Sequence, residues 1–255
     1  MPTPAPLRCP PGLRSQIPSL DPRVRIQSPY LVGQRFSSTR FTRRARARGR
    51  RLVLGEARRI IAYSLGFESM TRRIIAIGGG GFLMERGPSL LDEYFVRTAD
   101  VRSPKVCFIS TGGGDPEEWL AKYYKTFSKL GSRPSHLTFF RKPRRGSIPL
   151  TQIERGLLAQ DAIYVGGGNT RSMLAVWREW GLDRILRKAW NAGVLLGGIS
   201  AGALCWFKYG ATDSVLGPGR SSALSCLGFL PGSCSPHFDG EPRRRGDFRR
   251  LIARG

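Results

Sequence analysis

The chain has 255 residues, of which 40% are hydrophobic, so it can form one sizeable domain with a packed core and an extension. Its formal net charge of +24 raises the question of nucleic-acid binding. No apolar run approaches the about 18 residues that a membrane span needs, and the N-terminus lacks a charged region followed by an apolar one. The sequence therefore predicts neither a membrane protein nor a secreted one.

The positive charge is unevenly distributed along the chain. Residues 1–69 contain 14 Arg, no Lys and only three acidic residues, whereas all seven Lys follow Met70. Three interpretations of residues 1–69 are open: a disordered basic tail that contacts nucleic acid or anionic lipid, an organelle transit peptide, or a mis-assigned start with translation beginning at Met70. We favour the third, because the composition changes at Met70 and a predicted strand follows at once. The folded domain, residues 70–255, is not expected to bind nucleic acid.

Short apolar runs after Met70 predict five buried strands, at residues 74–77, 105–110, 136–140, 162–165 and 193–199. Most of these runs end in glycine-rich turns, and the fifth ends at Ser200. Runs that are apolar throughout are typical of parallel strands buried on both faces. Reactive groups in such sheets gather at the carboxyl ends of the strands.

Amphipathic stretches between these runs predict helices at residues 116–130, 170–180 and 182–192, with Asp115 as the N-cap of the first. Strands that alternate with helices indicate an α/β fold, with a parallel sheet covered by helices on both faces.

The pentapeptide Gly198-Ile199-Ser200-Ala201-Gly202 fits the G-x-S-x-G pattern. A serine on a sharp strand-to-helix turn projects its hydroxyl above the sheet, and small neighbours are needed because larger side chains would collide. The backbone N–H of Ala201 would then face a developing oxyanion. The alternative is a passive serine in a turn rich in Gly and Ala.

A serine nucleophile needs a base, and the sequence contains only two histidines. His136 lies in a predicted strand and is interpreted as structural. His237 lies in a loop-like stretch 37 residues after Ser200 and is the predicted base. The alternative for His237 is a surface loop histidine.

The acid that would orient the imidazole has three candidates. Asp213 lies between Ser200 and His237 in the chain and is favoured. Asp239 and Glu241 follow the histidine closely; they could instead bind a substrate amine or pair with arginines at residues 243–245.

Two glycine-rich turns are candidate ligand sites. The turn at residues 166–168, followed by Asn169, allows a close backbone approach and offers N–H donors to an oxyanion. The turn at residues 78–81 lacks the G-x-G-x-x-G pattern and the acidic residue of a dinucleotide site. No His, Cys or Asp cluster has metal-ligand spacing, so we predict neither a metal nor a cofactor. Cys107 and Cys205 lie in apolar runs and are predicted to be core residues in a reducing compartment.

Four motifs together resemble the peptidase E family of aspartyl dipeptidases over about residues 72–250: Ile77–Gly81, Val165–Thr170, Gly198–Ala203 and Pro236–Phe238. The resemblance implies a flavodoxin-like fold of the class I glutamine amidotransferase type, a cytoplasmic location, and serine-dependent hydrolysis of dipeptides that begin with Asp.

By the same resemblance Ser200 is the nucleophile and His237 the base, and Gly168 and Ala201 are the oxyanion donors. Gly167, Asn169 and Glu241 are further candidates for contact with the oxyanion or the substrate. Asp213 matches the family's acid only approximately, since the interval between the serine and the acid is about two residues shorter here than in the family. Some members of the family carry a glutamate instead.

Two features depart from the family pattern. Residues 1–69 have no counterpart, and the sequence continues for only 18 residues after His237, so we expect a domain truncated at its C-terminus. Two alternatives to an aspartyl dipeptidase remain open: a cyanophycinase-like enzyme that cleaves β-aspartyl bonds, and a non-catalytic binding module or inactive fragment of the same fold. The expected partner is a small peptide, and the sequence does not predict an oligomeric state.

Overall fold

The computed structural model describes residues 71–217 and 219–253. The predicted basic extension, residues 1–69, lies outside the described residues. Among the described residues, no helix combines the length and the apolar character that crossing a membrane requires.

Five parallel strands form the main sheet, in the spatial order β1-β5-β4-β2-β3. They are β1 (Ile74–Ile77), β2 (Lys105–Ile109), β3 (Arg133–Leu137), β4 (Ala162–Val165) and β5 (Leu195–Ile199). The strands β2, β4 and β5 are almost entirely buried, because helices cover both faces of the sheet. The strands β2 and β4 are neighbours, but the chain continues from β2 to β3 on one side and from β4 to β5 on the other. Open α/β sheets usually bind ligands beyond the carboxyl ends of two such strands.

The helices divide between the two faces of the sheet. One face packs against α1 (Leu90–Thr98) and α2 (Glu117–Lys129), through a core rich in aromatic rings. The other face packs against α3 (Ile153–Leu158), α4 (Thr170–Glu179) and α5 (Leu182–Asn191). This arrangement confirms the predicted flavodoxin-like α/β fold.

A second, three-stranded sheet follows the main one. The short helix α6 (Ala201–Leu204) leads from β5 into β6 (Phe207–Thr212), which is antiparallel to β7 (Ser222–Ser225) and parallel to β8 (Leu230–Cys234). The helix α7 (Arg244–Ala253) is the last described element. Because His237 comes just after β8, this small sheet returns the chain from Ser200 to the histidine.

The predicted bounds of two strands are wrong by two residues or more. The sequence predicts the third strand at residues 136–140, but it spans Arg133–Leu137. As an edge strand it tolerates the polar start Arg133-Pro134-Ser135, which carries no apolar pattern, and the chain leaves the sheet before Phe139 and Phe140. The fifth strand begins at Leu195 rather than at residue 193.

The predicted N-cap of α2 is also wrong. Pro116, not Asp115, occupies this position. The buried Asp115 carboxylate instead accepts hydrogen bonds from Ser110 Oγ at 2.9 Å and from the backbone N–H groups of Phe139 at 2.6 Å and Phe140 at 3.1 Å. Asp115 therefore joins the chain after β2 to the chain after β3.

Candidate active site

Ser200 lies at the carboxyl end of β5, on the turn into α6. Its backbone has φ 55° and ψ −112°, a conformation that L-residues seldom adopt and that costs about 1–3 kcal/mol. Its N–H donates to the carbonyl oxygen of Ile77 in β1 at 2.9 Å. The serine side chain is partly exposed, whereas Ala201 behind it is buried. Positive-φ strain at a partly exposed serine is typical of a nucleophile turn.

The glycines at positions 198 and 202 allow this turn to pack against β4. A Cβ atom at Gly198 would lie 2.3 Å from the carbonyl oxygen of Val165, and one at Gly202 would lie 2.2 Å from the same atom. Separations this short are forbidden to real Cβ atoms, so both positions require glycine. The G-x-S-x-G pattern is therefore explained here by backbone contact.

His237 is held against the end of β1. Its backbone N–H donates to the carbonyl oxygen of Gly78 at 3.0 Å, and its φ is also 55°. A Cβ atom at Gly79 would lie 3.0 Å from His237 Nδ1, so the glycine lets the ring pack against the strand end. The Nε2 atom of His237 lies 2.9 Å from Ser200 Oγ, at hydrogen-bond distance. The two residues that the sequence paired thus meet in the fold.

The glycine turn after β4 lies beside the serine. A Cβ atom at Gly167 would lie 3.3 Å from Ser200 Cβ and 3.8 Å from its Oγ. Gly168 has φ 112° and packs against the carbonyl of Gly112, where a Cβ atom would lie only 2.1 Å from the oxygen. The N–H groups of Gly168 and Ala201 donate no hydrogen bond to any described residue. Two backbone donors are therefore unused: the N–H of Ala201, directly after the serine in sequence, and the N–H of Gly168, directly after the glycine that lies beside the serine.

Asn169 has a structural contact in addition to its predicted role. Its Oδ1 accepts from the N–H of Ser172 at 2.9 Å and so caps α4, and its own N–H donates to the carbonyl of Gly112 at 2.7 Å. A substrate contact through Asn169 stays a prediction.

The hydroxyl of Ser214 connects the turn after β4 to the segment that carries Asp213. It accepts from the N–H of Thr170 at 2.8 Å, and it lies 2.8 Å from the Oγ1 atom of Thr212. Sequence analysis did not identify these hydroxyl groups, because threonine and serine near a strand end carry no distinctive pattern.

The three candidate acids are all paired with arginines at or near the start of α7. Arg244 donates to Glu241 Oε2 at 2.6 Å and to Asp213 Oδ2 at 3.3 Å. Arg245 donates to Asp239 Oδ1 at 2.5 Å. The alternative in which Asp239 and Glu241 pair with arginines is therefore seen.

The orienting acid itself stays a prediction. Nδ1 of His237 makes no hydrogen bond within residues 71–217 and 219–253.

The glycine loop after β1 uses its own side chains to satisfy its backbone. Gly81 N–H donates to Glu85 Oε1 at 2.9 Å, and Gly80 N–H donates to the sulfur of Met84 at 3.1 Å. Behind this loop, burial raises the pKa of the Asp92 carboxyl. This loop therefore supports the histidine, while the amides of Gly80 and Gly81 are occupied by the loop's own side chains.

His136 is buried, as the sequence analysis expected of a structural residue. Its Nδ1 lies 2.8 Å from the hydroxyl of Tyr124, and its backbone N–H donates to the carbonyl of Gly146 at 3.0 Å. Burial lowers the pKa of His136, an effect that the negative charge of Asp115 partly offsets. The cysteines at positions 107 and 205 are also buried, which confirms that they are core residues.

Comparison with known protein families identifies the chain. Residues 74–254 match the description Peptidase family S51. The chain belongs to peptidase family S51. The matched segment covers every residue of the site described above, so the protein is a peptidase whose candidate site lies within the family region. The predicted resemblance to peptidase E proteins is confirmed.

One curated relative agrees with this assignment, and two solved structures are more distantly similar. The chain is 45% identical over 182 residues to the uncharacterized peptidase YgaJ of Bacillus subtilis (strain 168). The matched segment covers 71% of this chain and 75% of YgaJ. A solved structure from Listeria monocytogenes EGD-e, assigned as a candidate peptidase E, is 22% identical with a TM-score of 0.49, covering 63% of this chain and 80% of that one. A peptidase structure from an acI-B1 Actinobacterium is 17% identical with a TM-score of 0.47, covering 64% and 67%.

Proposed function

We propose that the protein is a serine peptidase that hydrolyses short peptides, with dipeptides that begin with Asp as its substrates. The observation that carries this proposal is the 2.9 Å separation of Ser200 Oγ and His237 Nε2, on a strained turn at the carboxyl end of a parallel strand. A serine hydroxyl at this distance from an imidazole is the arrangement that nucleophilic catalysis needs.

In the proposed reaction Ser200 Oγ attacks the carbonyl carbon of the peptide bond while His237 Nε2 takes the hydroxyl proton. The N–H groups of Gly168 and Ala201 stabilise the negative charge that develops on the carbonyl oxygen. His237 then gives its proton to the departing amine as the C–N bond breaks. A water molecule, deprotonated by the same imidazole, hydrolyses the ester on Ser200 and restores the hydroxyl.

The acid partner of His237 is proposed to be Asp213, with Glu241 as the second candidate. Glu241 is close along the chain, because its N–H donates to the His237 carbonyl at 3.0 Å. Asp213 belongs to the segment tied by Ser214 to the N-terminus of α4. Each carboxylate contacts Arg244 through one oxygen, Oδ2 of Asp213 and Oε2 of Glu241, so the other oxygen of either is left to accept the proposed hydrogen bond from Nδ1.

The preference for an acidic substrate is supported by a cavity of about 780 Å³ between α7 and the segment before β7. Its lining includes Arg220, Arg243 and Arg250, of which Arg250 pairs with Asp247 in the same lining. Ser200 and His237 do not line it; Ser221, which does, contacts Arg244. A carboxylate side chain would be attracted to such a cluster of guanidinium groups.

The test is hydrolysis by the purified full-length chain of three dipeptides: α-Asp-Leu, β-Asp-Leu and Leu-Leu. We expect release of aspartate from the α-linked peptide, little cleavage of the other two, and loss of activity in Ser200→Ala. Ser172→Ala serves as the matched control, since Ser172 is exposed on α4 and is expected to leave the rate unchanged. Preferential cleavage of the β-linked peptide would indicate a cyanophycinase-like enzyme. Undiminished hydrolysis by Ser200→Ala would refute the mechanism.

A further inference from the structure

Arg244 is the one buried arginine of the candidate site in the described part of the chain, with only 6% of its surface exposed. Its guanidinium group contacts three residues on two segments of the chain. It donates to Glu241 at 2.6 Å, to Asp213 at 3.3 Å and to Ser221 Oγ at 3.5 Å. Neighbouring arginines of the same helix, such as Arg245 and Arg249, are exposed. A buried guanidinium is costly unless it is paired, so the two carboxylates and the hydroxyl make this placement possible.

The contacts of Arg244 continue to the histidine through the backbone. The Arg244 N–H donates to the carbonyl of Glu241 at 3.0 Å, and the Glu241 N–H donates to the carbonyl of His237 at 3.0 Å. Two successive backbone turns therefore connect His237 to Arg244. The side chain of Arg244 then fastens these turns to the segment between β6 and β7, which contains Asp213 and Ser221.

We propose that Arg244 is a positioning residue for the serine–histidine pair, which holds both candidate acids and the His237 segment in one arrangement. This inference rests on the proposed function. In this proposal Arg244 acts through these protein groups and not on the substrate, because its side chain is buried and three of its five N–H donors are used by them. Its loss should therefore affect the rate of the chemical step more than the binding of substrate.

The experiment compares Arg244→Met and Arg244→Lys with wild type, with Arg249→Met as the control that removes one exposed charge from the same helix. The probe is diisopropyl fluorophosphate, and the readouts are the rate of Ser200 modification at neutral pH and the values of kcat and KM for α-Asp-Leu. Circular dichroism checks folding. We expect Arg244→Met to react roughly 10- to 100-fold more slowly. Its kcat should fall by a similar factor, while its KM stays within about twofold of wild type.

Arg244→Lys should react more slowly than wild type but faster than Arg244→Met, because an ammonium group keeps the charge but cannot bridge both carboxylates in the same geometry. This variant carries the test if Arg244→Met fails to fold. A folded Arg244→Met with the wild-type rate would overturn the proposal, and so would a raised KM at an unchanged kcat. If Arg244→Met does not fold, a wild-type rate in Arg244→Lys would overturn it. Failure of wild type itself to react would instead count against the proposed function.

Discussion

Ser200 and His237 are 37 residues apart in the chain, yet their backbones are anchored to consecutive carbonyl groups of one strand end. Ser200 N–H donates to the oxygen of Ile77, and His237 N–H donates to the oxygen of Gly78. The two residues also share the same positive φ of 55°. The end of β1 therefore sets the relative position of the serine and the histidine, although it contributes no reactive side chain.

The backbone strain at Ser200 predicts a gain in stability when the serine is replaced by glycine. Ser200→Gly should have a free energy of unfolding about 1 kcal/mol higher than Ser200→Ala, because glycine adopts φ 55° without a Cβ penalty. Both variants should be inactive, which separates stability from function. Urea unfolding measures the difference, and an alanine variant as stable as the glycine variant would show that the turn is unstrained.

The close packing of Gly202 predicts that a single methyl group there disrupts the site. Gly202→Ala should lower the free energy of unfolding by about 2 kcal/mol or more, since its Cβ would lie 2.2 Å from the Val165 oxygen and 2.8 Å from the Gly166 oxygen. Gly87→Ala is the matched control, because nothing lies within 4 Å of its Cβ position. It should change stability by less than about 0.5 kcal/mol. Equal effects in the two variants would contradict the packing shown.

The buried His136 predicts a loss of stability in mild acid. Burial lowers its pKa below the ordinary value of 6.5, so the unfolded chain takes up a proton more readily than the folded one. Its contribution is complete above that ordinary value and is lost as the pH falls through 6.5 toward the folded-state pKa.

Urea unfolding from about pH 7.5 to about pH 5 measures this effect. His136→Gln, which cannot titrate, should lose less stability than wild type over the same window. Parallel curves for the two proteins would show that His136 does not carry the effect.

The arginine-lined cavity predicts the basis of substrate choice. Replacing Arg220 and Arg243 together with Met should lower kcat/KM for α-Asp-Leu by roughly tenfold or more, since each charged hydrogen bond to a substrate carboxylate contributes appreciably. Cleavage of a neutral dipeptide should change little. Arg249→Met is again the control. An equal loss for acidic and neutral peptides would place the selective contact elsewhere.

Much of this architecture could be predicted from the sequence because its determinants are local. The apolar runs around Ile163 and Leu196 are typical of strands buried on both faces, and the glycines around Ser200 fix a sharp turn. The polar edge strand at Arg133–Leu137 escaped prediction, because edge position is decided by tertiary pairing.

The pairing of His237 with Ser200 could be inferred by elimination, since only one other histidine exists. The choice of acid could not be inferred in this way. Asp213 and Glu241 are linked by their shared contact with Arg244, and this arginine lies beyond both of them in the sequence. The role of β1 was equally hidden, since it acts through carbonyl groups that every residue possesses.

The most direct test of the serine–histidine pair is covalent modification of the full-length chain by diisopropyl fluorophosphate, followed by intact mass and peptide mapping. We predict a single adduct on Ser200, formed at least about 100-fold more slowly in His237→Gln. The absence of an adduct from the folded chain, or an equal rate in His237→Gln, would contradict the assignment of Ser200 as a nucleophile activated by His237.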